Sequence, residues 1–212
     1  MRDLRRGLLL RLPFYYHCVR DHFILRNIGS ISSALLASNL GIDDTQVRKD
    51  LSAIGVKGRP RVGFHCQTVL QAIRDALGFD LLYVAVIMGM GRLGGALACY
   101  DGFRNYGLNI IGIFDADPRV IGTTLGPNTV QPIANAEKMI REKRPELAVI
   151  TVPASAAQAC ADLAVSCGVI AIWNFAPTLI HVPETVYVRN EHLSVGLSEL
   201  SYRIHSMRGT TA

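Results

Sequence analysis

The chain has 212 residues, half of them apolar and 18% charged, which suits one or two domains with real cores and not a large catalytic assembly. Its net charge of +5 falls wholly in residues 1–80, with 12 basic against 7 acidic side chains, while the 10 basic and 10 acidic residues of 81–212 cancel. A basic N-terminal part joined to a neutral one implies a polyanionic partner for the first and something else for the second. The longest unbroken apolar run, Leu81 to Met88, is too short to span a bilayer, and Arg11 interrupts Leu8–Leu10 before a signal-peptide core can form. Neither a membrane span nor export by that route is expected. The five cysteines (Cys18, Cys66, Cys99, Cys160, Cys167) are scattered and never in CxxC spacing, so no disulfide framework and no metal site is indicated. A reduced, cytoplasmic setting fits this usage.

In chain order, Leu12-Pro13-Phe14-Tyr15-Tyr16 opens a predicted amphipathic helix to about Leu25, with Pro13 suited to its first turn. Ser32 is the expected N-cap of a helix over 33–40, closed by Gly41. Asp43 caps the next helix, 44–54, with Gln46 placed to reach back to it in a capping box. The spacing 33–40, a tight turn, then 44–54 is that of a helix-turn-helix. At 100° per residue Val47 and Leu51 fall on one face of the second helix, while Thr45, Arg48, Lys49 and Ser52 project from the other. Lys57, Arg59 and Arg61 stand between glycines and Pro60 over 55–63, which suits an exposed wing whose charges face phosphates. A further helix is predicted over 66–77, with Val69, Ile73 and Leu77 on one stripe, and Gly78-Phe79-Asp80 marks the domain boundary.

From Leu82 onward buried strands alternate with helices. Tyr83–Met88 reads as a strand, Gly95–Arg104 as a helix, and Leu108–Phe114 as a second strand ending in Asp115. Leu147–Val152 and Val169–Trp173 read as further strands around a helix over 154–166, and 194–207 as a closing helix. The predicted organisation is therefore α/β: an N-terminal winged-helix domain (1–80), a Rossmann-type parallel-sheet domain (81–193) and a C-terminal helix (194–212).

Between the first strand and its helix lies Gly89-Met90-Gly91-Arg92-Leu93-Gly94, with Asp115 following 21 residues after Gly94. In that context the glycines serve a tight turn, close backbone approach to a pyrophosphate, and close helix–strand packing. Asp115 is then positioned for ribose hydroxyls, and an acid there disfavours a 2′-phosphate, so NAD is favoured over NADP; Arg119 can soften that preference. Lys and Arg on the helix 44–54 and the wing, carrying the charge excess together with Arg2, Arg5 and Arg6, point to double-stranded DNA, with Thr45, Gln46, Arg48, Lys49, Ser52, Lys57, Arg59 and Arg61 as its candidate contacts.

The segments Arg11-Leu12-Pro13-Phe14-Tyr15-Tyr16, Gln46-Val47-Arg48-Lys49-Asp50-Leu51-Ser52, Gly89 to Gly94, Phe114-Asp115-Ala116-Asp117-Pro118, Val152-Pro153-Ala154 and Asn174-Phe175-Ala176-Pro177 occur in that order. Together they closely resemble the Rex family of bacterial redox-sensing repressors, from about residue 10 to 206. The resemblance implies a winged-helix domain on operator DNA, a Rossmann domain holding NADH or NAD+, and a homodimer exchanging C-terminal helices, with NADH causing release. By motif it assigns DNA contact to Arg48 and Lys49, dinucleotide contact to Gly89, Gly91, Gly94 and Asp115, and the nicotinamide pocket to Tyr100, Val152, Pro153, Phe175, Ala176 and Pro177. It also brings departures. Ala53-Ile54 replaces an aromatic pair, Pro60 enters the wing, and the family's switch arginine and aspartate, which pair with the pocket tyrosine, fall on His17 and His192 beside Tyr100. Two imidazoles cannot reproduce an ion pair, so any such coupling requires a neutral tautomer, another acid such as Glu191, or packing. The rival expectation is a small NAD-dependent oxidoreductase with an accessory basic domain, against which stand the lack of a second substrate domain and of an acid/base constellation.

Overall fold

The computed structural model describes residues 4–209, so Arg2 and the last three residues of the predicted C-terminal segment lie outside it. The chain forms two compact units, 1–81 and 82–212. Among the described residues no helix is long and apolar enough to cross a membrane.

The first unit consists of α1 (Arg6–Arg26), β1 (Ser30–Ile31), α2 (Ser33–Leu40), α3 (Asp44–Ala53), β2 (Phe64–His65) and α4 (Cys66–Leu77). Its core forms where the apolar stripes of the helices meet: Leu12, Tyr15 and Val19 of α1, Leu36 of α2, Val47 and Leu51 of α3, and Val69 and Ile73 of α4 are each fully buried. Ser32 caps α2, its hydroxyl accepting the Leu35 N–H at 3.1 Å, and Gly41 ends the helix in the left-handed region at φ 64°. Asp43 caps α3 by accepting the N–H groups of Thr45 (2.8 Å) and Gln46 (3.3 Å). The strands β1 and β2 pair antiparallel, and between α3 and β2 the backbone of Arg59 pairs with that of Gly63 to make the wing hairpin. Gly63 is required at its base: φ is +90°, and a Cβ would meet the carbonyl of Ile31.

Two expectations for this unit fail. Pro13 is not in a first turn: α1 starts seven residues earlier, because Leu8 already belongs to the buried stripe, and the helix passes through Pro13 with one main-chain bond forgone. Gln46 does not reach back to Asp43; its amide donates forward to Asp50 Oδ1 at 2.7 Å. A capping box needs the Gln46 amide oxygen to accept the Asp43 N–H, whereas the side chain is drawn one helical turn ahead, where its NH2 meets a buried, charged acceptor.

The second unit contains β3 (Tyr83–Met88), α5 (Arg92–Ala98), a 3-10 turn (Asp101–Tyr106), β4 (Leu108–Asp115), β5 (Thr124–Leu125), β6 (Asn128–Pro132), α6 (Ala136–Lys143), β7 (Leu147–Ile150), α7 (Ala154–Ser166), β8 (Ala171–Asn174), β9 (Tyr187–Asn190) and α8 (Leu193–Gly209). The sheet order is β5-β6-β4-β3-β7-β8-β9, and every neighbouring pair is parallel except β5 with β6. Leaving out the β5 edge, this is the 3-2-1-4-5-6 order of the Rossmann fold, whose topological switch point falls between β3 and β7. Ile87, Met88, Ile113, Phe114, Val149 and Ile150 are buried, as expected of strands covered on both faces. Met88 pairs with Phe114 on one side and Ile150 on the other, so Gly89, Asp115 and Thr151 follow at one level of the sheet's C-terminal edge.

The predicted helix over Gly95–Arg104 is corrected to Arg92–Ala98 followed by the 3-10 turn, Tyr100 lying at the junction. Gly94 and Gly95 enter the helix because packing against the sheet outweighs their low propensity. The predicted strands 147–152 and 169–173 become 147–150 and 171–174. The strands β5, β6 and β9 and the helix α6 lacked a sufficiently apolar run to be expected.

Candidate functional site

On the first unit, α3 and the wing form one cationic surface. Thr45, Arg48, Lys49 and Ser52 are exposed along α3, as are Lys57, Arg59 and Arg61 on the wing. Arg48, Ser52, Lys57, Arg59 and Arg61 line a common groove of about 710 Å³, whose far wall includes Ser32 and Ser33 at the start of α2. Arg61 adopts φ 63°, which turns the hairpin tip. Arg48 is paired with Asp44 at 2.6 Å, one helical turn behind it on α3. Of the residues predicted to face DNA, Gln46 is the one turned elsewhere.

What holds α3 was not foreseen from the sequence. Asp50, 4% exposed, accepts Arg11 Nε at 2.6 Å and Nη2 at 2.9 Å, the Tyr15 hydroxyl at 2.7 Å and the Gln46 amide. Burial pushes the Asp50 carboxyl up, but the bonds from Arg11, Tyr15 and Gln46 outweigh it and hold the group below the usual carboxylate range. Burial and Asp50 push the Tyr15 phenol up in turn. Two of the quoted motifs, Arg11 to Tyr16 and Gln46 to Ser52, thus meet at a single carboxylate.

On the second unit, Gly89 opens the loop after β3 with φ +106°, and a Cβ there would lie 2.8 Å from the Thr151 carbonyl carbon. Gly94 faces the Gly89 carbonyl, and a Cβ on it would also stand 2.8 Å from Thr151 Oγ1. Thr151, which sequence reasoning missed, donates its hydroxyl to the Gly89 carbonyl at 2.7 Å and so ties the loop to the end of β7. Gly91 is extended and has open space where a Cβ would be, so its backbone is free to be approached. The first-turn N–H groups of α5, which begins at Arg92, have no partner within the helix. Asp115 accepts the N–H of Met90 and, at 2.7 Å, that of Asp117, which couples the glycine loop to the acid at the end of β4.

Gly89, Gly91, Asp115, Asp117, Val152 and Pro153 border a largely apolar cleft of about 550 Å³ at the switch point, with Ile133, Cys160 and Leu163 among its walls. Burial, and to a lesser degree Asp115, pushes the Cys160 thiol up. Arg92 and Leu93 are exposed at the start of α5, and Met90 is half-buried beside them. The remaining predicted pocket residues stand apart from the cleft. Tyr100 is 57% exposed and borders a separate hollow with Arg104 and Asn128. Its ring begins a row of edge and tilted contacts: Tyr100 to Phe103 (4.9 Å), Phe103 to Trp173 (5.7 Å) and Trp173 to Phe175 (4.9 Å). Ala176 is buried, its N–H bonded to Asn174 Oδ1, and Pro177 is exposed. Glu191 accepts the Trp173 indole N–H at 3.1 Å and Arg189 Nε at 2.8 Å; the Arg189 contact, against a smaller burial penalty, holds its carboxyl below the ordinary range. His17 is half-buried on α1, edge-on to Tyr16, and His192 is exposed next to Glu191. No group of three or more His, Cys, Asp or Glu suited to a metal occurs among the described residues.

The residues fit a dinucleotide: a glycine cradle that a Cβ would fill, open first-turn amides, and an acid beside them. A winged-helix unit with a cationic face, followed by a Rossmann unit with this cradle at its switch point, defines a transcription regulator that couples a DNA reader to a nucleotide sensor. Comparisons with known proteins agree. Residues 82–178 match the family described as "CoA binding domain", and residues 8–52 the one described as "Putative DNA-binding protein N-terminus". The chain is 41% identical over 179 residues to the redox-sensing transcriptional repressor Rex of Roseiflexus sp. (strain RS-1), covering 84% of this chain and 81% of that protein. It is 35% identical over 200 residues to Rex of Caldanaerobacter subterraneus subsp. tengcongensis, covering 94% and 88%. Among solved structures it matches RSP, a Rex-family repressor, in complex with β-NADH (TM-score 0.90, 30% identity, 100% of this chain and 99% of that chain). It also matches RSP with β-NAD+ and operator DNA (TM-score 0.89, 31% identity, 100% and 97%). The chain belongs to the Rex family of redox-sensing transcriptional repressors.

Proposed function

We propose that this protein represses transcription by binding operator DNA through α3 and the wing, and that NADH in the cleft at Gly89–Gly94 releases it while NAD+ permits binding. The observation that carries this reading is the presence, in one chain, of a cationic helix-and-wing surface and a separate glycine cradle. A relative similar over nearly its full length, RSP, is seen with NADH, and with NAD+ and operator DNA. Arg48, Lys49, Thr45 and Ser52 would meet the major groove, and Lys57, Arg59 and Arg61 the phosphates beside it. The glycine loop, with Asp115 on the adenosine ribose, would hold the dinucleotide, and Tyr100, Phe175, Ala176 and Pro177 are assigned to its nicotinamide end. His17 and His192 remain switch candidates.

The working form is a homodimer. Six apolar side chains of α8 (Val195, Leu197, Leu200, Tyr202, Ile204 and Met207) are exposed, 50% or more each, a surface suited to a second copy. Such a dimer sets its two recognition helices about one DNA turn apart, so operator half-sites lie about 10 bp, or a multiple of it, apart. We place the protein in the cytoplasm, where its DNA and cofactor are. We read the cleft as a sensor and not as an enzyme's active site, because its titratable walls are committed to the fold: Asp115 and Asp117 accept backbone N–H groups, and the Cys160 thiol is raised by burial.

The test is a mobility-shift titration on a footprinted operator. NADH raises the apparent dissociation constant and NAD+ does not; equal behaviour of the two sinks the proposal. The match to a coenzyme A-binding family favours a second reading, in which the cradle holds coenzyme A. The same titration with coenzyme A as effector separates the two, and a hydride-transfer assay over simple alcohols and hydroxy acids covers the oxidoreductase.

A further inference from the structure

We propose that Asp117 and Arg119, at the rim of the dinucleotide cleft, form the device by which this chain rejects a 2′-phosphorylated dinucleotide, Asp117 acting by keeping Arg119 occupied. The proposal rests on the reading of the cleft as an NAD(H) site.

The Rossmann fold offers two outcomes where its second strand ends. An acid takes the ribose hydroxyls and repels a 2′-phosphate, or a nearby arginine receives that phosphate. This chain carries both groups within five residues, Asp115 and Arg119, so its choice depends on what Arg119 does. A nested pair of turns decides that. Asp115 Oδ1 accepts the Asp117 N–H at 2.7 Å, and Asp117 Oδ1 accepts the Arg119 N–H at 2.9 Å. The Asp117 carboxylate then takes the guanidinium of Arg119, with Nε 3.0 Å from each oxygen and Nη2 2.6 Å from Oδ2.

Asp117 borders the cleft, whereas the Arg119 side chain is 86% exposed and is not among its walls. The bonds from Arg119 hold the Asp117 carboxyl down at about 2, so Asp117 carries its charge at every physiological pH. Asp115, Asp117 and Arg119 together carry one net negative charge, and a 2′-phosphate at this rim meets that charge with the Arg119 guanidinium already bonded to Asp117. Without the Asp117 charge, the same rim is neutral and its guanidinium is released for a bidentate phosphate contact. An exposed ion pair is weak enough for its removal to spare the fold.

The experiment titrates the full chain with NADH and NADPH, following nucleotide fluorescence, in the wild type, Asp117→Asn, Arg119→Ala and the Asp117→Asn/Arg119→Ala double variant. Asparagine preserves the side-chain acceptor for the Arg119 N–H and removes only the charge. The wild type binds NADH more tightly than NADPH. Asp117→Asn moves the affinity ratio toward NADPH by roughly two- to fivefold, the scale of one exposed charge contact. The shift shrinks with added salt, as a surface contact must, and the double variant loses it. If NADH binds every variant but the ratio stays put, the pair has no part in selection. An equal shift in the double variant overturns the role of Arg119 and leaves only the charge of Asp117. Failure of the wild type to bind NADH overturns the reading of the cleft itself, and the proposal with it.

Discussion

Arg11 of α1 and Asp50 of α3 meet in a two-point ion pair, Nε to Oδ2 at 2.6 Å and Nη2 to Oδ1 at 2.9 Å, with the acid buried and the arginine 31% exposed. The helix that carries Arg48 and Lys49 outward is thereby fixed in rotation by a bond on its inward side. Removing one partner strands the other. Asp50→Asn is expected to destabilise the first unit by about 3 kcal/mol, the low end for a broken buried pair because Arg11 keeps some solvent. Hydrogen exchange checks this: protection of the α1 and α3 amides falls by about two orders of magnitude. At temperatures where the variant stays folded, the ratio of operator to random-sequence binding also falls, which a purely stabilising bond would not cause.

The same carboxylate sets a pH dependence. Its pKa in the folded chain is held below the unfolded value of about 3.9, so its contribution to stability is complete above that value. It is lost as pH falls through the folded pKa. Exchange protection of α3, corrected for intrinsic rates, is therefore flat near neutrality and declines below about pH 4, and Asp50→Asn removes this component of the decline.

Lys49→Ala and Arg61→Ala separate reading from anchoring. A helix residue that reaches base edges costs about 1–3 kcal/mol, concentrated on the operator, whereas a wing cation on phosphate weakens all sequences alike and lowers the salt slope by about one. Mobility shifts at two or more salt concentrations, on operator and scrambled DNA, distinguish the two. A uniform loss for Lys49→Ala assigns it to phosphate.

Gly89→Ala is expected to abolish dinucleotide binding and leave the first unit intact. The added Cβ would stand 2.8 Å from the Thr151 carbonyl carbon at φ +106°, so both strain and collision move the loop. Isothermal titration with NADH reads the loss. Retention of wild-type affinity would mean that the loop relaxes without consequence. Thr151→Val, which removes the hydroxyl bonded to the Gly89 carbonyl, gives a smaller decrease, about tenfold, for one hydrogen bond.

The exposed face of α8 predicts concentration-dependent assembly. Leu200→Asp with Ile204→Asp places two charges on that face and shifts the protein from dimer to monomer in light scattering. A variant that keeps the dimer mass assigns dimerisation to another surface, and a wild type of monomer mass overturns the dimer.

Much of this molecule was legible in advance where local chemistry decides structure. Ser32, Gly41 and Asp43 set helix ends through bonds to their immediate neighbours, and the glycine loop followed from strand, turn and helix in succession. What was not legible depends on groups far apart in sequence. Gln46 was expected to bond Asp43 and instead bonds Asp50, because only the folded chain makes Asp50 a buried acceptor shared with Arg11 and Tyr15. Thr151 carries no motif of its own, and its role exists only once β7 lies beside β3. The edge strands β5 and β9 are short and largely polar, and they take their form from the neighbours they pair with.

The ring row from Tyr100 through Phe103 and Trp173 to Phe175 has an optical consequence. Trp173 is the chain's sole tryptophan and lies in the cofactor unit, with its indole N–H on Glu191. Indole emission overlaps the absorption band of reduced nicotinamide and not that of the oxidised form. The protein therefore carries a built-in, single-site donor whose quenching would report which redox state of the cofactor is bound, without any label on the protein or the DNA.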